Sequence, residues 1–247
     1  MKIAAIYDIH GNPFALEAVL KAISGQGVDL LFVGGDVVAG PMPKEALSLL
    51  SRSEIPIAYI RGNAETDLLR HAKGLEVYGL GPRAKSEAAW TLDQLDAWDV
   101  AFIESWAKTI QMKTKSLGEI LFCHATPEND TDVFTKFTPV RKLEPIFGSL
   151  EASVVICGHT HMQFDRRIAG VRVVNAGSVG MRFGGTGADW LLLDDGVHLM
   201  HTPYDLDRAA GAIAASKYPN AKAFAAKNIL GPPTEKEALH MLSELER

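Results

Sequence analysis

Short apolar runs alternate with polar, glycine-containing loops along the first quarter of the chain. Lys2 to Tyr7 is one such run and stops at Asp8-Ile9-His10-Gly11-Asn12. A run this short fits a strand buried on both faces, with a loop at its C-terminal end. From Pro13 to Ser24, the residues Phe14, Ala18, Leu20 and Ile23 recur at roughly helical spacing. Asn12 is placed to cap that helix and Pro13 to occupy its first position. Leu30 to Val33 predicts a second strand ending at Gly34-Gly35-Asp36, and Lys44 to Leu50 a helix. Ile55 to Ile60 predicts a third strand ending at Arg61-Gly62-Asn63. Strand, polar loop and helix in repetition argue for a parallel sheet with right-handed crossovers.

The middle of the chain changes character. Ser86 to Ala107 reads as helical, with Trp90, Leu92, Leu95, Trp98, Phe102, Ile103 and Trp106 as its apolar surface. Strands then dominate, at Ile110 to Met112, Ile120 to Cys123, Val154 to Cys157, Phe164 to Ile168, Val171 to Val174, Trp190 to Leu193 and Val197 to Met200. One more helix is expected from Pro139 to Phe147, and Gly170 and Asp195-Gly196 mark turns between adjacent strands. Leu206 to Arg247 is alanine-rich and helical, broken at Pro232-Pro233 and restarted by the capping-box pair Thr234 and Glu237. With no repeat and no long linker, the pattern predicts one α/β domain over 1–247. It has two packed sheets, helices outside and a helical C-terminal extension at about 205–247.

Composition narrows this little. Hydrophobic residues are 47% and charged residues 22% of 247, which excludes a disordered or fibrous chain. The net charge of −5 lacks the basic surplus of a typical nucleic-acid binder. Two cysteines, Cys123 and Cys157, make no disulfide framework and fit a reducing compartment. The first apolar run is interrupted by Asp8 and His10 before it reaches the length of a secretory signal, and no apolar stretch is long enough for a membrane helix. A cytoplasmic location is expected.

The chemistry sits where strands end. Asp8 and His10, Asp36, Asn63, His124, and His159 with His161 each follow an apolar strand, most of them beside glycine. In parallel α/β sheets the loops beyond the carboxyl ends of strands carry the site, so these residues converge. Two carboxylates, four imidazoles and one amide oxygen suit divalent metals. In D-x-H and H-x-H, side chains two apart on an extended segment share a face. Two dications held by two aspartates keep a positive remainder that attracts an anionic phosphate. A pair of ions also clamps both oxygens of an in-line displacement. Each of these residues alone could be a turn or cap residue; the metal reading rests on all seven together.

Taken in order, Asp8-Ile9-His10, Gly35-Asp36, Gly62-Asn63, His124 and Gly158-His159-Thr160-His161 resemble the calcineurin-like metallophosphoesterases, closest to their small single-domain bacterial and archaeal members. The likeness spans roughly Met1 to Thr202. It implies a four-layer α/β/β/α sandwich with two mixed sheets. It also implies a centre of two divalent ions (Mn, Fe, Zn or Ni, with Mn favoured). One ion would take Asp8, His10, Asp36 and His161, the other Asp36, Asn63, His124 and His159. Asp36 would bridge, and Asp36, Asn63 and His124 would serve catalysis by a metal-bridging hydroxide. The implied activity is hydrolysis of small phosphate esters or nucleotide anhydrides, a dinucleoside polyphosphate being one candidate. A nuclease and a non-catalytic scaffold of the same fold are the alternatives. The chain departs from the family pattern where many members place a histidine after G-N, because Ala64 stands there.

Outside the ligand set, Asn12, Arg61, Gly177 and Ser178 are candidate substrate contacts. Asn12 equally reads as a helix cap and Arg61 as a solvated arginine. The glycine-rich stretch Asn175 to Gly187 reads as an anion nest or as a hairpin loop. Arg182 is a second candidate phosphate contact, and the acidic run Glu128 to Asp132 a pocket wall or a solvated loop. Cys123 and Cys157 are read as core, and His71, His198, His201 and His240 as structural. Among these four, His71 is the nearest substitute for the missing acid.

Overall fold

The computed structural model describes residues 1–75 and 81–246, apart from the side chain of Arg83. Its centre is two five-stranded sheets. In the first, β1 (Ile3–Ile6), β2 (Leu30–Val33) and β3 (Ile57–Tyr59) run parallel. β9 (Ala188–Leu193) and β10 (Val197–Thr202) extend it antiparallel on the other side of β1. In the second, β5 (Gly118–Phe122), β6 (Val154–Cys157) and β8 (Val171–Asn175) run parallel. They lie between antiparallel edges β4 (Ile110–Thr114) and β7 (Phe164–Ile168).

Strand alternation sets the layers. Ile3, Ala5, Tyr7 and Phe32 face Ile120, Phe122, Ile156 and Val174 across the gap between the sheets, with Phe32 and Phe122 stacked at 3.9 Å between ring centroids. Ala4, Ile6, Leu31 and Val33 turn outward onto α1 (Pro13–Ser24), α2 (Pro43–Ser51) and α3 (Asn63–Ala72). On the far face, Leu121, Val155 and Val173 pack with Leu143 and Phe147 of α6 (Val140–Phe147). The order helices, sheet, sheet, helix is the expected four-layer arrangement.

Three details differ from the sequence reading. Ser86 to Ala107 is two helices, α4 (Pro82–Gln94) and α5 (Ala97–Glu104). Leu95 is extended and Asp96 caps the second helix by accepting from the Trp98 and Asp99 amides. Trp98 therefore lies at the surface, 86% exposed. Asn63 opens a ten-residue helix rather than sitting in a loop. The C-terminal extension is α7 (Leu206–Ala215), α8 (Ala221–Phe224), a π-helical turn (Ala225–Leu230) and α9 (Glu235–Leu245). It packs Ile213, Tyr218 and Phe224 against Phe14, Trp90 and Met181. Among the described residues no helix is long and apolar enough to cross a membrane.

Candidate metal centre

All seven residues singled out by sequence lie at the carboxyl ends of strands β1, β2, β3, β5 and β6, on one rim of the two sheets. The chain is bent sharply to present them. Asp8, His10, Asp36, His159 and His161 all have positive φ, between 47° and 69°. Among the described residues only two other non-glycine positions, Ala169 and Asn220, share that conformation. Left-handed backbone at a residue with a Cβ persists only where the surrounding structure over-determines it, and it concentrates at functional sites.

The side chains meet in a cluster that is buried apart from the half-buried Asn63 and His159. His161 Nε2 lies 3.4 Å and His10 Nε2 3.9 Å from Asp8 Oδ1. His124 Nε2 is 3.8 Å from the same oxygen and 3.6 Å from Asp36 Oδ1. Asp36 Oδ2 is 3.8 Å from His10 Nε2, so its two oxygens face different histidines. Asn63 Oδ1 sits 3.1 Å from His124 Nε2, and the His159 ring meets the His124 ring edge-on at 5.2 Å. Two groups, Asp8 with His10 and His161 and Asp8 with Asp36 and His124, converge closely enough to hold an ion.

Three observations on the chain itself fit metal ligation. Asp8 Oδ1 is fully buried and has no hydrogen-bond partner, although an unpaired buried carboxylate oxygen is costly. The Nδ1 atoms of His10, His124 and His161 bond to the carbonyls of Ala39, Gly34 and Met181 at 2.8–2.9 Å. Those bonds aim the Nε2 lone pairs inward, as outer partners of metal-bound imidazoles do. Finally, burial and the neighbouring His161 lower the His10 pKa, and burial with His124 lowers His159 to about 4, which keeps both rings neutral. Burial alone would raise the Asp8 carboxyl, but His161, His124 and His10 hold it well below the ordinary range.

Glu65 was missed as a site residue. It is fully buried, and its carboxylate accepts four backbone N–H groups. Those of Asp36 and Val37 are at 2.7 Å, Gly62 at 2.9 Å and Val38 at 3.2 Å. One side chain thus ties the loop after β2 to the loop after β3. The legible signal was its position three residues after Gly62, where a glutamate returns to the cap. Gly62 is required by the same closeness, since a Cβ there would collide with Asp36 Oδ1 and press on the His124 ring.

Residues 1–195 match the calcineurin-like phosphoesterase superfamily domain. The chain belongs to that superfamily. A relative, uncharacterized protein MJ0912 of Methanocaldococcus jannaschii, is 24% identical over 237 residues, 88% of this chain and 93% of its own. Hypothetical protein PH1004 from Pyrococcus horikoshii is similar in fold, with TM-score 0.77 and 20% identity over 94% of this chain and 99% of that one. A metallophosphoesterase from Sphaerobacter thermophilus gives 0.72 and 22% over 93% and 99%.

Within this phosphoesterase fold the candidate substrate contacts separate. Asn12 is buried; its Oδ1 accepts from the Ala15 amide and its Nδ2 donates to the Gly180 carbonyl and the Tyr204 hydroxyl, so the capping role accounts for it. Ser178 Oγ donates to the Asp8 carbonyl and accepts from the Met181 amide. The Gly177 amide donates to Asn175, that of Val179 to Tyr7 and that of Gly180 to Asp8. The Val179 and Gly180 amides thus brace the chain at Tyr7 and Asp8. Arg182 is tied to Asp189 at 2.6 Å. The run Glu128 to Asp132 folds on itself through Thr126 and reaches α3 through Asp130 and Thr66. Arg61 differs: its Nε is buried without a partner, and the residue lines a groove of about 330 Å³ that opens at His124.

A second cavity, of about 550 Å³, opens on the other side of the centre. His10, Asp36 and Asn63 form its end, and α3, α4 and the C-terminal helices its walls. Asp67 reaches it from one turn beyond Ala64. Burial, then the charges of Asp130 and Asp36, push its carboxyl up to about 6. His71 is exposed and lines neither cavity. Cys123 and Cys157 are free and buried in the outer core, as expected.

Proposed function

We propose that this protein hydrolyses small phosphate esters at a centre of two divalent ions, Mn²⁺ favoured. The observation that carries this reading is the orphaned Asp8 Oδ1 within a cluster of inward-aimed histidines. One ion is assigned to Asp8, His10, Asp36 and His161, the other to Asp36, Asn63, His124 and His159. Asp36 is assigned the bridge because its two oxygens face opposite histidines. When bound, such ions supply positive charge for the phosphoryl group and lower the pKa of water. The chain's own part is to hold the imidazoles in fixed orientation and to place Arg61 in the groove that opens at His124. A nucleic-acid substrate draws no support from the net charge, and the cavity at His10 is walled rather than an open track. The buried free thiols support a cytoplasmic location, and one domain over 1–247 remains our reading of the chain.

The test is metal content together with phosphate release. Purified protein incubated with Mn²⁺ is expected to retain two ions per chain and to release phosphate from an aryl ester. Absence of both would favour a scaffold. His161→Ala and His159→Ala should each weaken metal retention by at least the roughly 10–100-fold that loss of an outer partner causes. His240→Ala should be silent, because His240 is exposed and its ring stands 3.8 Å from Glu244, away from the cluster.

Ala64 bears on the leaving group. A positioned acid contributes about 10²–10⁴-fold, and alanine offers none. Over a series of aryl phosphates, log kcat/KM is expected to fall steeply with leaving-group pKa, and Ala64→His to flatten the slope. A shallow slope in the unmodified enzyme would show that another group already donates the proton.

A further inference from the structure

The cavity at His10 is walled largely by segments outside the ligand loops. Ala84 and Ala88, one helical turn apart on α4, leave space on one side, and Ala64 and Leu68 line it from α3. Phe224 and Asn228 close it from the C-terminal extension, beyond the matched 1–195. The carboxylates on its walls are engaged within the protein: Arg70 acts on Asp67, and Glu87 is not free. The Thr91 hydroxyl is taken up by the Glu87 carbonyl. Asn228 is different. Its carboxamide bonds to no described residue, and it sits in the π-helical turn Ala225–Leu230. The Gly231 amide closes that turn on the Ala226 carbonyl, five residues back. Such wide turns are rare and concentrate at functional sites.

Resting on the phosphoesterase reading, we infer that the organic half of the substrate enters this cavity, and that it is an uncharged ring with an amide-type edge read by Asn228. Volume supports a ring, since about 550 Å³ is within the range of small-molecule sites. Position supports the leaving group, because His10, Asp36 and Asn63 form the cavity's end and the opposite walls lie beyond them. The walls supply the rest of the argument. Leu68, Ala88, Met181 and Phe224 cover apolar ring faces. A carboxamide offers one carbonyl acceptor and two N–H donors, so its complement is a donor beside an acceptor. A few placed polar groups in an otherwise apolar site fix orientation and set specificity. An analogue that lacks the donor leaves the Asn228 carbonyl unmatched, which such sites reject. The C-terminal extension then has a role, as the element that carries the specificity residue.

A matched pair of esters tests this. 4-Carbamoylphenyl phosphate and 4-(methoxycarbonyl)phenyl phosphate have uncharged leaving groups of similar size and basicity, but only the first carries N–H donors. With Mn²⁺, the unmodified protein is expected to favour the amide ester by at least about threefold in kcat/KM, within the roughly two- to tenfold that one neutral hydrogen bond supplies. Asn228→Leu, close in volume, should bring that ratio to about one. Ala88→Phe, which fills the cavity, should cost both aryl esters at least about fivefold more than it costs acetyl phosphate. A binding arm needs neither metal nor turnover. 4-Hydroxybenzamide should bind the metal-free protein in calorimetry more tightly than methyl 4-hydroxybenzoate, and Asn228→Leu should abolish the difference. A kinetic ratio near one or inverted, or one that Asn228→Leu leaves in place, would overturn the inference while leaving the phosphoesterase reading intact. Equal cost of Ala88→Phe to all three substrates would do the same. Binding of the amide without hydrolysis of any ester would overturn the phosphoesterase reading and leave the cavity's chemistry standing. Neither binding nor hydrolysis would overturn both.

Discussion

Asp36→Asn is expected to lower phosphate release by more than about 10²-fold and to cost the protein at least one ion. Changing an outer partner of a ligand already costs about 10–100-fold, and Asp36 stands directly between the two histidine groups. Asparagine keeps the shape and can still accept the Ala64 amide, now 2.9 Å from Oδ1. It removes the charge that both ion positions share. The fold should persist, because the three main apolar clusters lie below the rim and contain no ligand. Melting of the metal-free variant should stay within about 4 °C of the metal-free parent, the shift of roughly 1 kcal/mol at this chain length. Retention of two ions with near-normal turnover would show the bridging assignment to be wrong, and metal analysis beside a phosphate-release assay decides it.

Glu65→Gln is expected to act through structure rather than ligation. The carboxylate accepts four N–H groups with two oxygens. Glutamine supplies one oxygen and turns an NH₂ group toward two of those donors. Hydrogen bonds to a charged acceptor are worth about 1.5–3 kcal/mol each. Two are lost, partly offset because burial and the nearby Asp36 already push the Glu65 carboxyl up. A net loss of about 3 kcal/mol should lower Tm by roughly 6–12 °C. Because Glu65 joins the Asp36 loop to the start of the helix that carries Asn63, metal affinity should fall as well. Thermal melting with and without Mn²⁺ separates the two effects. A variant that melts like the parent but loses metal would mean that Glu65 positions the loops without holding the fold. One unchanged in both would show that the four contacts carry little.

How far the amino-acid order alone reached can be judged from particular residues. Ile3–Ile6, Leu30–Val33 and Val154–Cys157 were legible as strands because a strand covered on both faces must be continuously apolar. The caps at Asn12 and Thr234 were legible because a side-chain oxygen three residues before an amide is a local arrangement. That the seven candidate residues converge was legible because each sits at a strand end, and parallel sheets bring such ends to one rim.

Contacts between distant segments were not legible. Whether the Asn12 amide meets a substrate or Gly180 depends on a loop 168 residues away. The same holds for Ser178 and Asp8, 170 residues apart. The split of Ser86 to Ala107 at Leu95 escaped a reading based on apolar spacing alone. The two cavities belong to neither side of any one segment, since their walls come from α3, α4 and the C-terminal helices on one flank and from the loops after β3 and β5 on the other. Local order along the chain determined the strands, the caps and the kinds of ligand atoms. Only the tertiary structure decided which polar atoms are satisfied inside the protein and which, like Asp8 Oδ1 and Arg61 Nε, are buried without a hydrogen-bond partner. The reason is physical: a hydrogen bond is satisfied or orphaned by what lies within about 3 Å in space, and sequence distance does not set that.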